Sequence, residues 1–438
     1  MEKRKAALHN LGCKVNSYET EAMQQLLEEA GYEIVPFAPG ADVYVINTCT
    51  VTNIADRKSR QMLHRAKKMN PEAIVVAAGC YVQASREEAE QDAAIDLIIG
   101  NNQKKDLPYI LEKFREHQGK MTWVEDLSHE HDYEELHISR TAEHTRAYIK
   151  VQDGCNQFCS YCIIPFTRGR VRSRKVTEVQ REVQKLAGGG FQEIVLTGIH
   201  LSSYGKDLGS SLIELIEALH DTEGIQRIRL GSLEPGIITD EFVRRLKTLP
   251  KVCPHFHLSL QSGCNATLKR MNRRYTIEEY MEKCRMLREA YPHPALTTDI
   301  IVGFPMETEE EFETTRKSLE QISFYETHVF KYSRRKGTRA AVMEGQVDER
   351  VKTRRSEILL ALDRENRKKY EAALLGSIQE VLFEETITLG NKPYFVGHTK
   401  EYVRIAVPWE EGLSNKILQV KVEEERTGEV LKAELLEK

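Results

Sequence analysis

What this sequence lacks sets its first bounds. No apolar run approaches the roughly 20 residues that cross a bilayer; the longest, such as residues 74–79, are strand-sized. The opening MEKRKAALHNLGCKVN has basic side chains but no apolar core of signal-peptide length. The expectation is therefore a cytoplasmic protein with no membrane partner. A dominant charge sign is missing too: 63 basic and 67 acidic residues leave a formal net charge of −4. Any nucleic-acid contact must come from local patches. No low-complexity tract or long internal repeat is present. The 9 cysteines are odd in number and follow no secretion signal. That argues against a disulfide framework and leaves catalytic, metal-binding and buried thiols.

What is present is length and pattern. At about 150 residues per domain, 438 residues predict roughly three domains. Hydrophobic residues at 40% and charged residues at 30% supply packed cores and exclude a mainly disordered chain. In residues 1–117, strands at 6–12, 43–48 and 74–79 alternate with helices at 17–30, 54–69 and 84–91, which predicts an α/β domain with a parallel sheet. Residues 118–143 turn polar and acidic and read as a linker with one short strand at 122–124. The histidines in and beside it, His129, His131, His137 and His144, read as solvated, because no cysteine or helical spacing accompanies them.

Residues 144–371 contain six strand-like runs, at 147–151, 193–197, 227–230, 255–260, 297–302 and 326–332, with helices between them. Thr177/Gln180, Thr276/Glu279 and Thr308/Glu311 have the spacing of capping boxes at helix starts. The succession predicts a partial (β/α)6 TIM-like barrel with functional residues at its strand ends. After a basic helix at 350–370, residues 372–438 read as a small all-β module with strands at 379–385, 394–398, 403–407 and 416–423.

The cysteines carry the chemistry. Cys155, Cys159 and Cys162, spaced C-x3-C-x2-C after the first barrel strand, can hold three corners of a [4Fe–4S] cube and leave the fourth iron without a protein ligand. Zinc sites normally bring paired C-x2-C motifs or histidines, which are missing nearby. An open iron can chelate S-adenosylmethionine (SAM), whose reductive cleavage gives a 5′-deoxyadenosyl radical. Cys13, Cys49 and Cys80 each end a predicted strand, in LGC, NTC and AGC. Strand ends of a parallel sheet share one edge, so these three can converge on a second [4Fe–4S] cluster. Cys253, Cys264 and Cys284 read as structural.

LGCKVNSYETE, INTCTVTNIADRKSRQ, AGCYVQ and GCNQFCSYC, followed by LTGIHLSSYG, LGSLEP, LQSGCNATLKRMNRRYT and TTDIIVGFP, resemble the radical-SAM methylthiotransferases over nearly the whole chain. The resemblance implies an N-terminal auxiliary-cluster domain, a radical-SAM barrel and a C-terminal TRAM domain. It implies that Cys155, Cys159 and Cys162 bind the radical cluster and that Cys13, Cys49 and Cys80 bind the auxiliary cluster. SAM is expected at Thr197, Gly198, Glu234, Ser259, Gln261, Asp299 and Gly303. One SAM would supply the radical and another the methyl group, with an electron donor such as flavodoxin or ferredoxin and a sulfur donor. The pattern departs from the family at Ser259 (usually proline), Met306 (usually glycine), Arg335 and Lys336.

The sequence around Cys13 and Cys49 looks like the branch that methylthiolates C2 of N6-threonylcarbamoyladenosine beside the tRNA anticodon. Other branches act on isopentenyladenosine or on a ribosomal-protein aspartate, and a metal-binding RNA adaptor is the non-enzymatic alternative. Residues 331–369 hold 13 basic and 6 acidic residues, and Arg168, Arg170, Arg172, Arg174 and Lys175 follow the radical motif. Both stretches are expected to grip phosphates of the anticodon stem-loop. Residues 372–438, with 8 basic and 12 acidic residues, point the other way.

Overall fold

The computed structural model describes residues 3–117, 119–140, 145–427 and 429–436. Strand β1 (Lys5–Asn10) opens a sheet completed by β2 (Glu33–Ile34), β3 (Val43–Thr48), β4 (Ile74–Gly79), β5 (Leu97–Ile99) and β6 (Met121–Trp123), in the order β2-β1-β3-β4-β5-β6. Every pairing is parallel. The central strands are apolar on both faces, as a sheet covered on both sides requires. Tyr44, Ile46, Val75 and Ala77 enter one core, and Val43, Val45, Val76 and Ala78 the other. Helices Lys14–Glu29, Asn53–Met69 and Cys80–Ala84 start just beyond the C-terminal ends of β1, β3 and β4.

The second body contains β7 (Arg146–Asp153), β8 (Arg172–Ser173), β9 (Glu193–Gly198), β10 (Arg227–Leu230), β11 (His255–His257), β12 (Ala295–Val302) and β13 (Glu326–Lys331). β7, β9 and β10 pair in parallel, as do β11, β12 and β13. Isolated parallel bridges Ile228↔Val252 and Leu233↔Leu258 join the two sets. The result is a partial barrel of six parallel strands, β7-β9-β10-β11-β12-β13, with β8 antiparallel beside β7. Its main apolar core lies between the strands and their helices, joining Ile149, Leu196, Ile228 and Leu258 to Val183, Leu215 and Leu287. Helix Glu349–Ala372 then leads to a closed barrel of β14 (Ile378–Leu389), β15 (Lys392–His398), β16 (Arg404–Pro408), β17 (Ile417–Thr427) and β18 (Val430–Leu435).

Three local expectations differ from the structure. The helix at Val176–Gly188 starts before Thr177, with Lys175 at its N-cap and no side-chain cap, so Thr177/Gln180 forms no capping box. Thr276/Glu279 and Thr308/Glu311 do form boxes, and so does Ser211/Glu214. The expected helix at 84–91 is two short ones, Cys80–Ala84 and Arg86–Gln91. The segment read as a solvated linker carries its expected short strand as β6, but it also buries Leu127, Glu134, Leu136 and Ile138. Glu134 accepts the backbone amides of Lys104 (2.5 Å) and Lys105 (3.1 Å), which compensates its burial. His144 lies outside the described residues.

Candidate active site

Three thiols meet at the C-terminal edge of the first sheet. Gly12, at φ +116°, lets the turn after β1 pass against Cys49; a Cβ there would stand 3.2 Å from the Cys49 Sγ. The Asn16 amide donates to the carbonyls of Leu11 (2.7 Å) and Thr48 (3.0 Å), tying the Cys13 turn to the end of β3. Ser59 donates to the Cys49 carbonyl and accepts from its amide, which fixes that loop. Cys80 begins its own short helix. Cys49 and Cys80 are buried while Cys13 is accessible. Burial pushes the Cys49 thiol up to about 12, so metal loading must release protons.

Beneath this triad lies a wholly buried ion network that crosses from one body to the other. Arg168, from the loop after the second cysteine motif, donates through Nε to the Cys80 Sγ at 3.3 Å and through its terminal nitrogens to Asn16 (2.7 Å), Glu19 (2.8 Å) and Asp153 (3.1 Å). Lys104 and Lys150 also pair with Glu19, and Lys150 with Asp153. Burial alone would raise the Glu19 carboxyl, but Arg168, Lys104 and Lys150 hold it well below the usual range. Three cations against two carboxylates leave positive charge beside the sulfurs, which suits thiolates on a metal cluster.

The second triad sits in the loop after β7. Gly154 is obligatory there, since at φ +71° a Cβ would lie 1.7 Å from the Arg170 carbonyl oxygen. The loop is strapped to residues 270–272: the Ser160 amide donates to Met271 O (3.0 Å), its hydroxyl to Arg270 O (2.8 Å), and the Asn272 amide to Phe158 O (3.0 Å). Arg273 donates to the Cys159 Sγ at 3.2 Å. Each triad thus carries one guanidinium on one sulfur. Burial pushes Cys155 up to about 11 and Cys162 to about 12. Cys253, Cys264 and Cys284 are buried elsewhere. The donor chemistry of both triads fits a [4Fe–4S] cluster with one iron open.

A cavity of about 250 Å³ is lined by Cys162 of the second triad, by Val51 and Thr52 of the loop after Cys49, and by Gln261, Asp299 and Phe330 of the barrel. Two expected SAM residues, Gln261 and Asp299, therefore face it. Glu234 and Ser259 gather around Arg273 instead. The Glu234 carboxylate lies 3.4 Å from Arg273 and accepts from Gln157 (2.8 Å), with His200 at 3.1 Å; the Ser259 carbonyl accepts from Arg273 (3.2 Å). Thr197 is buried at the end of β9, and Gly198 packs on Gln152. Gly303 is not among these groups: a Cβ on it would meet the Lys352 Cγ at 2.2 Å, so its smallness serves packing under helix Glu349–Ala372.

The arginines expected on the surface are mostly interior. Arg168, Arg172 and Arg174 are buried, the last paired with Glu182. Arg335 binds Asp56 (2.7 Å), Asn53 (2.6 Å) and Thr50 (2.7 Å), clamping the loop after Cys49. Arg168 and Arg273 were legible only as basic residues; their sulfur contacts depend on chain segments 88 and 114 residues away.

A thiol triad in the loop after the first strand of a partial barrel, with Cys162 lining a cavity, is the equipment of a radical-SAM enzyme, and residues 149–319 match the Radical SAM superfamily. Residues 5–100 match the uncharacterized protein family UPF0004. The chain belongs to the radical-SAM methylthiotransferases, whose cofactors are SAM and [4Fe–4S] clusters. It is 44% identical to threonylcarbamoyladenosine tRNA methylthiotransferase MtaB of Bacillus subtilis, over 95% of this chain and 93% of that protein. Its identity to the protein of the same name from Thermotoga maritima is 37%, over 89% and 90%. To tRNA-2-methylthio-N(6)-dimethylallyladenosine synthase of Thermoanaerobacter sp. it is 36%, over 98% and 92%. The solved structure of the radical SAM methyltransferase TsrM from Kitasatospora setae, with cobalamin and a [4Fe–4S] cluster bound, shares the fold: TM-score 0.58 at 15% identity, covering 78% of this chain and 74% of that one.

Proposed function

We propose that this enzyme attaches a methylthio group to C2 of N6-threonylcarbamoyladenosine beside the anticodon of tRNA. The relatives named for that reaction stand at 44%, 42% and 37% identity, above those at 34–36% named for the dimethylallyladenosine reaction. The observation that carries the reading is a cavity lined both by Cys162 and by the loop after Cys49. Cys155, Cys159 and Cys162 hold the radical cluster, and Cys13, Cys49 and Cys80 hold the auxiliary one. When bound, the clusters and SAM supply the radical, the sulfur and the methyl group; an aromatic C–H is too weakly acidic for a general base alone.

The protein's own part is placement. Gln261, Asp299, Glu234 and Ser259 are the SAM contacts we favour, with Thr197 and Gly198 supporting them from the end of β9. Arg168 and Arg273 fix one sulfur of each triad and offset its charge. Arg335 holds the loop after Cys49 over the cavity, where it excludes water from the reacting atoms. The functional units are residues 1–117, the segment 118–143, the radical-SAM barrel at 144–371 and a TRAM domain at 372–438. Exposed Arg350, Arg364, Lys368 and Lys369 on helix Glu349–Ala372 remain free to meet stem-loop phosphates. The reaction needs a cytoplasmic electron donor such as flavodoxin or ferredoxin and a sulfur donor.

Mass spectrometry of tRNA nucleosides from a deletion strain tests this. Threonylcarbamoyladenosine should accumulate without its methylthio group while isopentenyladenosine products stay normal. Unchanged tRNA together with a ribosomal protein lighter by one methylthio group would refute it.

A further inference from the structure

One wall of the cavity continues down the barrel, and its chemistry changes by layer. Paired residues on neighbouring strands point the same way, and every second residue along a strand shares that face. Ile301 pairs with Phe330, and both line the cavity. Two residues deeper Asp299 pairs with His328, and deeper again Thr297 pairs with His257. Successive layers lie about 7 Å apart. The first layer is apolar and flat enough for a base; the next two are polar.

The polar layers form one cluster. His257 Nδ1 meets the Thr297 hydroxyl at 3.0 Å, and its Nε2 lies 3.2 Å from an Asp299 carboxylate oxygen but off the line of a hydrogen bond. Its ring stacks on His328 with centroids 5.7 Å apart. One polar atom from each of His257, Asp299 and His328 falls within 4.8 Å of the others. The cluster has spare donors and one acceptor.

We infer that His257 and His328 form a subsite for a carboxylate carried on the base's side group. This deepens the proposed reading and rests on it. A threonylcarbamoyl group brings a carboxylate, a hydroxyl and a urea N–H into a layer about 7 Å below the base. An isopentenyl group brings none, and would strand charged side chains against hydrocarbon.

The test compares anticodon stem-loops carrying threonylcarbamoyladenosine with the same RNAs carrying its methyl ester, which removes the charge and adds one methyl group. Native enzyme should lose about tenfold or more in kcat/KM on the ester, mainly through KM, as loss of a charge-assisted hydrogen bond predicts. At native iron content, His257→Gln and His328→Gln should each raise KM for the acid by about tenfold and bring the acid-to-ester ratio toward one. Equilibrium binding of the same RNAs should give the same pattern without turnover. Equal losses on acid and ester would mean a structural role and overturn the subsite. One equivalent of zinc per chain, bound by native protein and lost in His328→Gln, would make it a metal site and also overturn it. Turnover of isopentenyladenosine RNA, with neither threonylcarbamoyl RNA accepted, would overturn the substrate reading itself.

Discussion

Arg168 shows why single residues near the motifs were hard to weigh from sequence. In PFTRGRVRSRK it is one of five basic residues and looks like part of a phosphate grip, yet it is fully buried against Cys80, Glu19 and Asp153. Nothing local signals this, because Glu19 and Cys80 arrive from another body. Met306 is the opposite case, a departure from the family's usual glycine that is visible in the sequence itself. It takes φ +62°, a conformation that costs a side-chain-bearing residue about 1 kcal/mol, and its side chain is 45% exposed. Little packing is lost on removing it, although glycine surrenders some of the gain through unfolded-chain entropy. Met306→Gly should therefore stabilise the protein by about 0.5 kcal/mol, read as a higher thermal midpoint. A lower midpoint would mean that its contact with Gly345 outweighs the backbone strain.

At the scale of elements, pattern reading succeeded where one face or one edge decided the matter. The bounds of β3, β4 and β10 follow directly from short apolar runs. Alignment of Cys13, Cys49 and Cys80 beyond three parallel strands follows from strand–helix alternation alone. β1 stops at Asn10, short of the expected Gly12, because the chain must turn there to bring Cys13 beside Cys49. β18 was missed: its run VLKAEL follows a charge-rich stretch, and its parallel pairing with β16 is a long-range event. The edge argument makes a measurable claim. Anaerobic reconstitution should give about eight irons per chain, and replacing Cys13, Cys49 and Cys80 together by alanine should leave about four. If folded triple variant retains no iron, the two triads are not separate sites.

For the molecule as a whole, the acidic surplus of residues 372–438 conflicted with an RNA substrate until its contacts were known. Part of it is spent inside the protein. Glu380 pairs with Arg227 (3.0 Å) and Glu384 with Arg146, while Arg229 donates to the carbonyls of Lys400 (2.8 Å) and Thr399 (3.3 Å). His398 and Tyr402 stack over the same seam, with Arg146 and Arg229 against the Tyr402 ring. At its centre Glu193 is buried under Arg229 (2.8 Å), Arg227 (3.7 Å) and Arg146 (3.9 Å). Burial would raise its carboxyl, but Arg229 and Arg146 bring it down to about 2. Because the folded value lies below the unfolded one, near 4.5, this pairing contributes fully above about pH 5 and is lost as pH falls toward 2. His398 acts in the same direction, since burial lowers its pKa and the unfolded ring takes up a proton first. Arg229→Met leaves Glu193 with its two more distant arginines and removes two carbonyl bonds across the seam, at a cost of about 3 kcal/mol. The small barrel should then separate from the larger one at a higher pH than in the native protein. Proteolysis in residues 373–377, between helix Glu349–Ala372 and β14, should accelerate correspondingly. Unchanged cleavage and an unchanged acid transition would place the holding energy in the apolar contacts of Ala295 and Tyr325 with the small barrel's core instead.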